Sequence, residues 1–309
     1  MLKIYRTENA KVYEVESFEK DCWYHLSAPT VKELQQVISE TGVSADFLRA
    51  SLDDDERSRI ETEDGQTLIL VDTPVEDDDE KGDYETIPLG IIALENCIIT
   101  VCLKEPPLIS EFYNERIRDF STKKHNRFIL QLLYRNAARF LYYLRRIERM
   151  SNDIEKELHK SMRNKELTDM LELEKSLVYF QTSLKGNEVV LERLLRMSFI
   201  RNYPDDTDLL EDVIIENKQA IEMCTISRDI LSQTMDAFSS VISNNLNISM
   251  KVLTVITMIL TIPTILASLW GMNVPVPFSQ NPYGFWIVLV ISVLVSGLIG
   301  LIMKIKKMF

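Results

Sequence analysis

Residues 252–278 read VLTVITMILTIPTILASLWGMNVPVPF, and the fold turns on what the first nineteen of them do. Residues 252–270 carry no charge, and nineteen helical residues rise about 28 Å, enough to cross the hydrocarbon core of a bilayer. A second uncharged run, FWIVLVISVLVSGLIGLIM, fills residues 285–303. Only the short segment 271–284 separates the two, so they read as a membrane hairpin with spans at about 251–270 and 285–303. Lys251 precedes the first span, Lys304, Lys306 and Lys307 follow the second, and the connecting loop has no Lys or Arg. The positive-inside rule then predicts a two-span protein with both termini cytoplasmic and the loop outside. Trp270, Tyr283 and Trp286 fall where an outer aromatic belt is expected.

Everything acidic lies before this hairpin. The 309-residue chain has 47 Asp and Glu against 35 Lys and Arg, a formal charge of −12, yet no acid occurs from Met250 onward. An acidic body repels a phosphate backbone, which argues against nucleic acid as a partner, and it attracts cations. Cys22, Cys97, Cys102 and Cys224 show no paired spacing and read as buried thiols in a reducing compartment. The opening MLKIYRTENAKVYEVE has no apolar core, so no cleavable leader is expected.

The pattern predicts an α+β multidomain membrane protein in three parts. Residues 1–105 read as an α/β cytoplasmic domain, with β-rich runs KVYEVE, CWYHLS, QTLILVDTP, IPLGIIALEN and CIITVCL. Within it APTVKELQQVISETG has a helix start at Thr30 with Glu33 three residues on, and a stop at Gly42. Residues 106–250 read as a helical stalk region. EPPLISEFYNERIRDF is expected to open a long helical stretch, two long helices to meet near MRNKELTD, and RNYPDDTD to break the pattern. From about Asp208 nothing interrupts a helix before Pro263, and Leu210, Ile214, Ile221, Cys224, Leu231, Met235, Phe238 and Ile242 suggest a heptad seam able to join copies of the chain. Residues 251–309 form the hairpin and a basic cytoplasmic tail.

Asn247, Met250, Thr254, Thr257, Thr261, Thr264 and Ser268 recur at alternating intervals of three and four, a single helical face amid Val, Ile and Leu. Threonines in membrane helices often bond their own i−4 carbonyls. So many on one face favour a stripe against water or another helix. Two spans cannot enclose a pore, so a water-lined stripe requires several copies around one axis. Pro263 removes a hydrogen bond to the Ile259 carbonyl, which is expected to bend the span or turn that oxygen toward the lumen.

MKVLTVITMILTIPTILASLWGMN resembles the first membrane helix of the CorA family of divalent-cation channels, two-span transporters with a Gly-Met-Asn signature, and the similarity extends to the whole plan of the chain. The resemblance implies a homopentamer with the first span inside, taking up Mg²⁺ and also Co²⁺ or Ni²⁺. It implies a selectivity ring of Gly271, Met272 and Asn273, and a pore face carrying Asn247, Met250, Leu253, Thr254, Thr257, Thr261, Thr264 and Ser268. Where the family usually has Tyr before the signature this chain has Trp270, which keeps an aromatic brace and loses a phenolic hydrogen bond. Its outer loop also lacks the acid that many members carry. Oxygen ligands and a reluctance to shed water suit Mg²⁺. Zinc or copper would call for His or Cys, and neither occurs after Cys224.

Aligning the stalk without gaps to the signature puts Asp212 at the family's regulatory acid. That implies a regulatory Mg²⁺ held with Asp83 or Glu85 of a neighbouring subunit, and Asp236 is a further stalk acid that assembly would gather. No nucleophile motif, phosphate loop or zincin helix is visible, so neither an enzyme nor an organic cofactor is expected. The expected partners are further copies of the chain, divalent cations and lipid. A zinc-carrying member of the superfamily and a non-conducting regulatory protein on the same fold are the alternative readings.

Overall fold

The computed structural model describes residues 1–9, 11–16, 19–76, 84–114, 116–161, 164–197, 204–274, 276–277 and 281–305. It divides into two compact units, Met1–Thr234 and Met235–Phe309.

The first unit is built on a seven-stranded sheet: β1 (Leu2–Glu8), β2 (Lys11–Val15), β3 (Cys22–Ser27), β4 (Arg59–Glu63), β5 (Gln66–Glu76), β6 (Tyr84–Ala93) and β7 (Cys97–Cys102). Their order is β2-β1-β3-β7-β6-β5-β4, antiparallel except for the parallel pair β3–β7. Strand alternation sends successive side chains of β3 to opposite faces. Trp23 joins a core containing Phe112, Phe128 and Leu194, while Cys22, Tyr24 and Leu26 join another containing Val37, Phe47 and Leu48. Helices α1 (Val31–Thr41) and α2 (Ala45–Ala50) cover the second face. The first is covered by α3 (Pro107–Tyr113), α4 (His125–Ser161), α5 (Asn164–Arg196) and the start of α6 (Pro204–Trp270).

Helix α1 begins as its sequence predicts. The Thr30 hydroxyl accepts from the Glu33 amide, the Glu33 carboxylate accepts from the Thr30 amide, and Gly42 ends the helix in the left-handed region at φ 72°. Helix α3 departs from expectation: it stops after about two turns at Tyr113, with Asn114 at its C-cap, and the long helix starts afresh at His125. Strands β1 and β4 and helix α2 were not foreseen.

All four cysteines are free and buried. Burial pushes the thiols of Cys97, Cys102 and Cys224 up to about 12, which leaves them unreactive core residues. Burial likewise drives His25 down to about 3, so it packs as a neutral imidazole, its Nδ1 2.9 Å from the Thr100 hydroxyl that also accepts from Trp23 Nε1 at 2.8 Å.

The heptad seam on α6 keeps its period and shifts its members. Leu210, Val213, Asn217, Ala220, Cys224 and Leu231 are buried, whereas Ile214 and Ile221 are half-buried. The seam faces α5 of the same chain: Asn217 Nδ2 donates to Leu184 O at 3.1 Å, and Cys224 Sγ to Leu177 O at 3.2 Å. From Leu210 to Leu231 the seam is therefore covered by α5 within the chain. A polar Asn217 in the seam costs little because α5 offers it a carbonyl.

Among the described glycines, Gly90 on β6 has the closest neighbour. A Cβ there would lie 1.9 Å from the Ser51 hydroxyl and 2.4 Å from Ser51 Cβ, and Ser51 is fully buried with its hydroxyl donating to Phe47 O at 2.8 Å. Gly90→Ala should therefore destabilise this unit by about 1–3 kcal/mol through overpacking, measured by thermal unfolding. Adding Ser51→Gly should restore much of the loss; a Gly90→Ala chain as stable as the parent contradicts the packing.

Candidate functional site

The second unit contains the C-terminal part of α6 and helix α7 (Gly284–Ile305). Both helices are long and apolar enough to cross a membrane. Their contact is set by Pro263, which lies inside α6 without ending it. Proline has no amide hydrogen, so the Ile259 carbonyl loses its helical partner. The Ser296 hydroxyl of α7 donates to that carbonyl at 3.3 Å, and Ser296 is buried. The freed oxygen thus points to the second helix and not toward the hydroxyl stripe, contrary to the expectation of a lumen-facing carbonyl. Gly300, one turn on, faces the same residue: a Cβ there would sit 3.5 Å from Ile259 Cδ1, an ordinary contact.

Helix geometry now separates two faces. At about 100° per residue, Asn247, Met250, Thr254, Thr257, Thr261, Thr264 and Ser268 share an arc of roughly 100°, with Leu253 at its margin. Val255, Ile259, Ile262, Leu266 and Trp270, which are buried or half-buried, centre about 150° away round the helix. Helix α7 takes that second face, and the stripe residues are exposed.

The threonine hydroxyls are directed inward along their own helix. Thr254 donates to Met250 O at 2.8 Å, Thr257 to Leu253 O at 2.8 Å, Thr261 to Thr257 O at 2.7 Å and Thr264 to Leu260 O at 3.0 Å. Each hydroxyl has one hydrogen and two lone pairs. With the hydrogen committed to the backbone, what the stripe presents outward is acceptor oxygen.

At the end of α6, the Gly271 amide bonds Ala267 O at 2.9 Å and the Met272 amide reaches Leu269 O at 3.5 Å, tightening the last turn. Gly271 is constrained, since a Cβ would lie 3.2 Å from Ala267 O. Met272 and Asn273 are exposed. Trp270, at the point where the sequence loses a phenolic hydroxyl, forms a hydrogen bond of its own: its indole Nε1 donates to Pro277 O in the loop at 2.9 Å.

Asp212 and Asp236 are exposed on α6. Glu85 borders a cavity of about 390 Å³ with Asp54, Asp55, Glu172 and Lys175, while Asp83 lies outside the described residues. Among the described residues, no three His, Cys, Asp or Glu come together closely enough to hold a metal.

A family model described as CorA-like Mg²⁺ transporter protein matches residues 19–307. The cobalt/magnesium transport protein CorA of Methanocaldococcus jannaschii is 27% identical over 287 residues, which cover 88% of this chain and 86% of that one. The complete structure of the CorA magnesium transporter from the same organism superposes with a TM-score of 0.84 at 24% identity, covering 100% of this chain and 99% of that one. The ZntB cytoplasmic domain of Vibrio parahaemolyticus superposes with a TM-score of 0.55 at 11% identity, covering 76% and 98% of the two chains. The fold is accordingly that of full-length CorA, an N-terminal α/β unit followed by a long helix and two candidate membrane helices.

The two faces of α6 make separate predictions for labelling in a bilayer. Because the native cysteines are buried, single cysteines introduced at Thr257, Thr261 or Thr264 can be read against a low background. They should react readily with a membrane-impermeant thiol reagent, while cysteines at Val255, Ile259 or Leu266 should react at least about tenfold more slowly, as buried, lipid-shielded thiols do. Equal labelling on both faces contradicts a water-facing stripe.

Proposed function

We infer the function from one premise, that the chain belongs to the CorA-like Mg²⁺ transporter family: it is a homopentameric channel that admits Mg²⁺ through the plasma membrane, with both termini cytoplasmic. The M. jannaschii relative's name joins cobalt to magnesium, and Co²⁺, with Ni²⁺, is included here as an accompanying ion. Its work is transport and not catalysis, and the ion is cargo and regulator, with no organic cofactor.

The observation that carries this reading is the acceptor-lined face of α6. A hydrated cation turns its water hydrogens outward, so it is best received by lone pairs and not by hydroxyl hydrogens. Thr254, Thr257, Thr261 and Thr264 offer such lone pairs along the stripe, and Asn247 and Ser268 lie on the same face at its two ends. Mg²⁺ sheds its water reluctantly, which favours a lining that bonds the hydration shell and leaves it in place. At the outer end, Gly271, Met272 and Asn273 form the selectivity ring, with the Asn273 amide oxygen as acceptor. At the inner end, Met250 and Leu253 are exposed at 56% and 59% and supply an apolar constriction that gates by dewetting.

Assembly uses the side of α6 that α5 does not cover. Ile215, Ile226 and Ile230 are 62%, 59% and 57% exposed, and Asp212 lies within about 60° of them round the helix. A carboxylate on an apolar self-association face repels its counterparts when cations are scarce and is bridged when Mg²⁺ is plentiful. Asp212, with Glu85 and Asp83 from a neighbour and Asp236 further along α6, is in this reading the sensor that closes the pore at high cytosolic Mg²⁺.

The test is uptake by the purified chain in liposomes under an imposed negative-inside potential. Mg²⁺ and Co²⁺ should enter, and Asn273→Ala should reduce Mg²⁺ entry at least about tenfold, as expected when the charge-assisted hydrogen bonds of an entry ring are removed, while leaving the oligomer intact. Unimpaired uptake by the variant rejects the ring; uptake of Zn²⁺ in preference to Mg²⁺ assigns the chain to a zinc-carrying role; no flux of any divalent ion leaves a regulatory protein.

A further inference from the structure

The signature residues depend on something outside themselves for their position. Among the described residues no side-chain hydrogen bond holds the Asn273 amide, which puts the weight on the backbone that carries it. That backbone leaves α6 after a last turn closed by Gly271 and Met272. Among the described residues its next backbone hydrogen bonds lie at the start of α7, where the Gly284 amide bonds Asn281 O at 2.9 Å and the Tyr283 amide bonds Asn281 Oδ1 at 3.0 Å. Between these anchors the loop carries no charge to tie it by ion pairing.

Trp270 supplies the missing tie. Its side chain lies on the α7 face of α6, where it borders an apolar cavity of about 320 Å³ with Pro263, Ala267, Phe285, Val288 and Leu289. The ring is thus seated between two helices while its one donor, Nε1, reaches 2.9 Å to the carbonyl of Pro277. The bond closes the segment 270–277 into a ring that contains Gly271, Met272 and Asn273. Its acceptor belongs to a proline, whose φ is fixed near −65°. An indole N–H can only donate, and a carbonyl that loses it has no replacement on this side chain.

We propose that Trp270 is a positioning residue for ion selection: its hydrogen bond to Pro277 holds the Gly271–Asn273 backbone rigid, so that the Asn273 amides of an assembled ring stay at one radius matched to a hydrated divalent cation. This rests on the channel reading above and deepens it. The residue before the signature contributes by its N–H as well as by its aromatic bulk, so a tryptophan there is not a weakened tyrosine but a donor with a different reach.

The experiment replaces the N–H and keeps the ring. Trp270 is substituted by 3-benzothienylalanine, which carries sulfur in place of the indole nitrogen, and in parallel by Trp270→Phe; each full-length protein is reconstituted in liposomes. Two quantities are read: the concentration dependence of Mg²⁺ uptake, and hydrogen exchange of the backbone amides in residues 271–277. Loss of one neutral hydrogen bond is worth about a 3- to 10-fold change. The isostere should therefore raise the KM for Mg²⁺ by about that factor, with the maximal rate within about twofold of the parent, and should speed exchange in the loop by a similar factor while α7 is unaffected. Mere destabilisation would lower the amount of active protein, and hence the maximal rate, without moving KM. An isostere with the parent's KM and loop exchange overturns the proposal, even where Trp270→Phe fails to fold. If the parent itself carries no Mg²⁺, the channel reading fails, and the exchange measurement still decides whether the tie holds the loop.

Discussion

A proline in a membrane helix leaves a carbonyl that lipid cannot satisfy, and the way this chain resolves that problem at Pro263 orders the rest of its second unit. The Ile259 oxygen is met by Ser296, which commits one face of α6 to α7. Val255, Ile259, Ile262 and Leu266 go with it. The hydroxyl stripe is then left on the other side of the helix, where a single chain has nothing to set against it. The threonines have already given their hydrogens to the backbone, so the uncovered face is one of lone pairs. Proline, serine and threonine thus act together: the first two decide which way α6 turns, and the third decides what it shows.

The first unit follows a comparable economy of faces. The α6 seam from Leu210 to Leu231 packs on α5, leaving Asp212 and the exposed isoleucines on another side. Asn187 of α5 closes the edge of β5 by bonding both the amide and the carbonyl of Asp72, at 2.9 and 2.8 Å. That is the point where β4 has ended its pairing and the opposite neighbour is Pro88, which has no N–H to give. The helices are therefore joined to the sheet by specific polar bonds as well as by apolar packing.

Much of this was legible in the residues because the relevant rules are strict. Uncharged runs of nineteen residues, the three-four recurrence of threonine, and the Thr30–Glu33 box each have few physical alternatives. What was not legible had weak or shared signals. Strand β1 sets Lys3, Arg6 and Glu8 around its core residues Ile4 and Tyr5, and β4 is a polar edge strand with one buried apolar side chain, Ile60; edge strands are polar for reasons unconnected with strand propensity. The α6 seam was misplaced by one residue at Val213 and Ile214 because both are apolar and only packing against α5 chooses between them. The bonds from Ser296 to Ile259 and from Trp270 to Pro277 join residues whose separation carries no periodic signature. Proline announced an orphan carbonyl, but only coordinates could name its partner.

The central claim is that copies of the chain gather with the hydroxyl face of α6 inward and α7 outward. Distances between spin labels in the assembled protein, held in lipid nanodiscs, test it most directly. Labels at Thr261, on the stripe, are to be compared with labels at Leu298, an exposed position of α7. The account predicts that the intersubunit distances at Thr261 are shorter than those at Leu298 by about 10 Å or more, one helix diameter. Equal distances, or a shorter distance at Leu298, would contradict it.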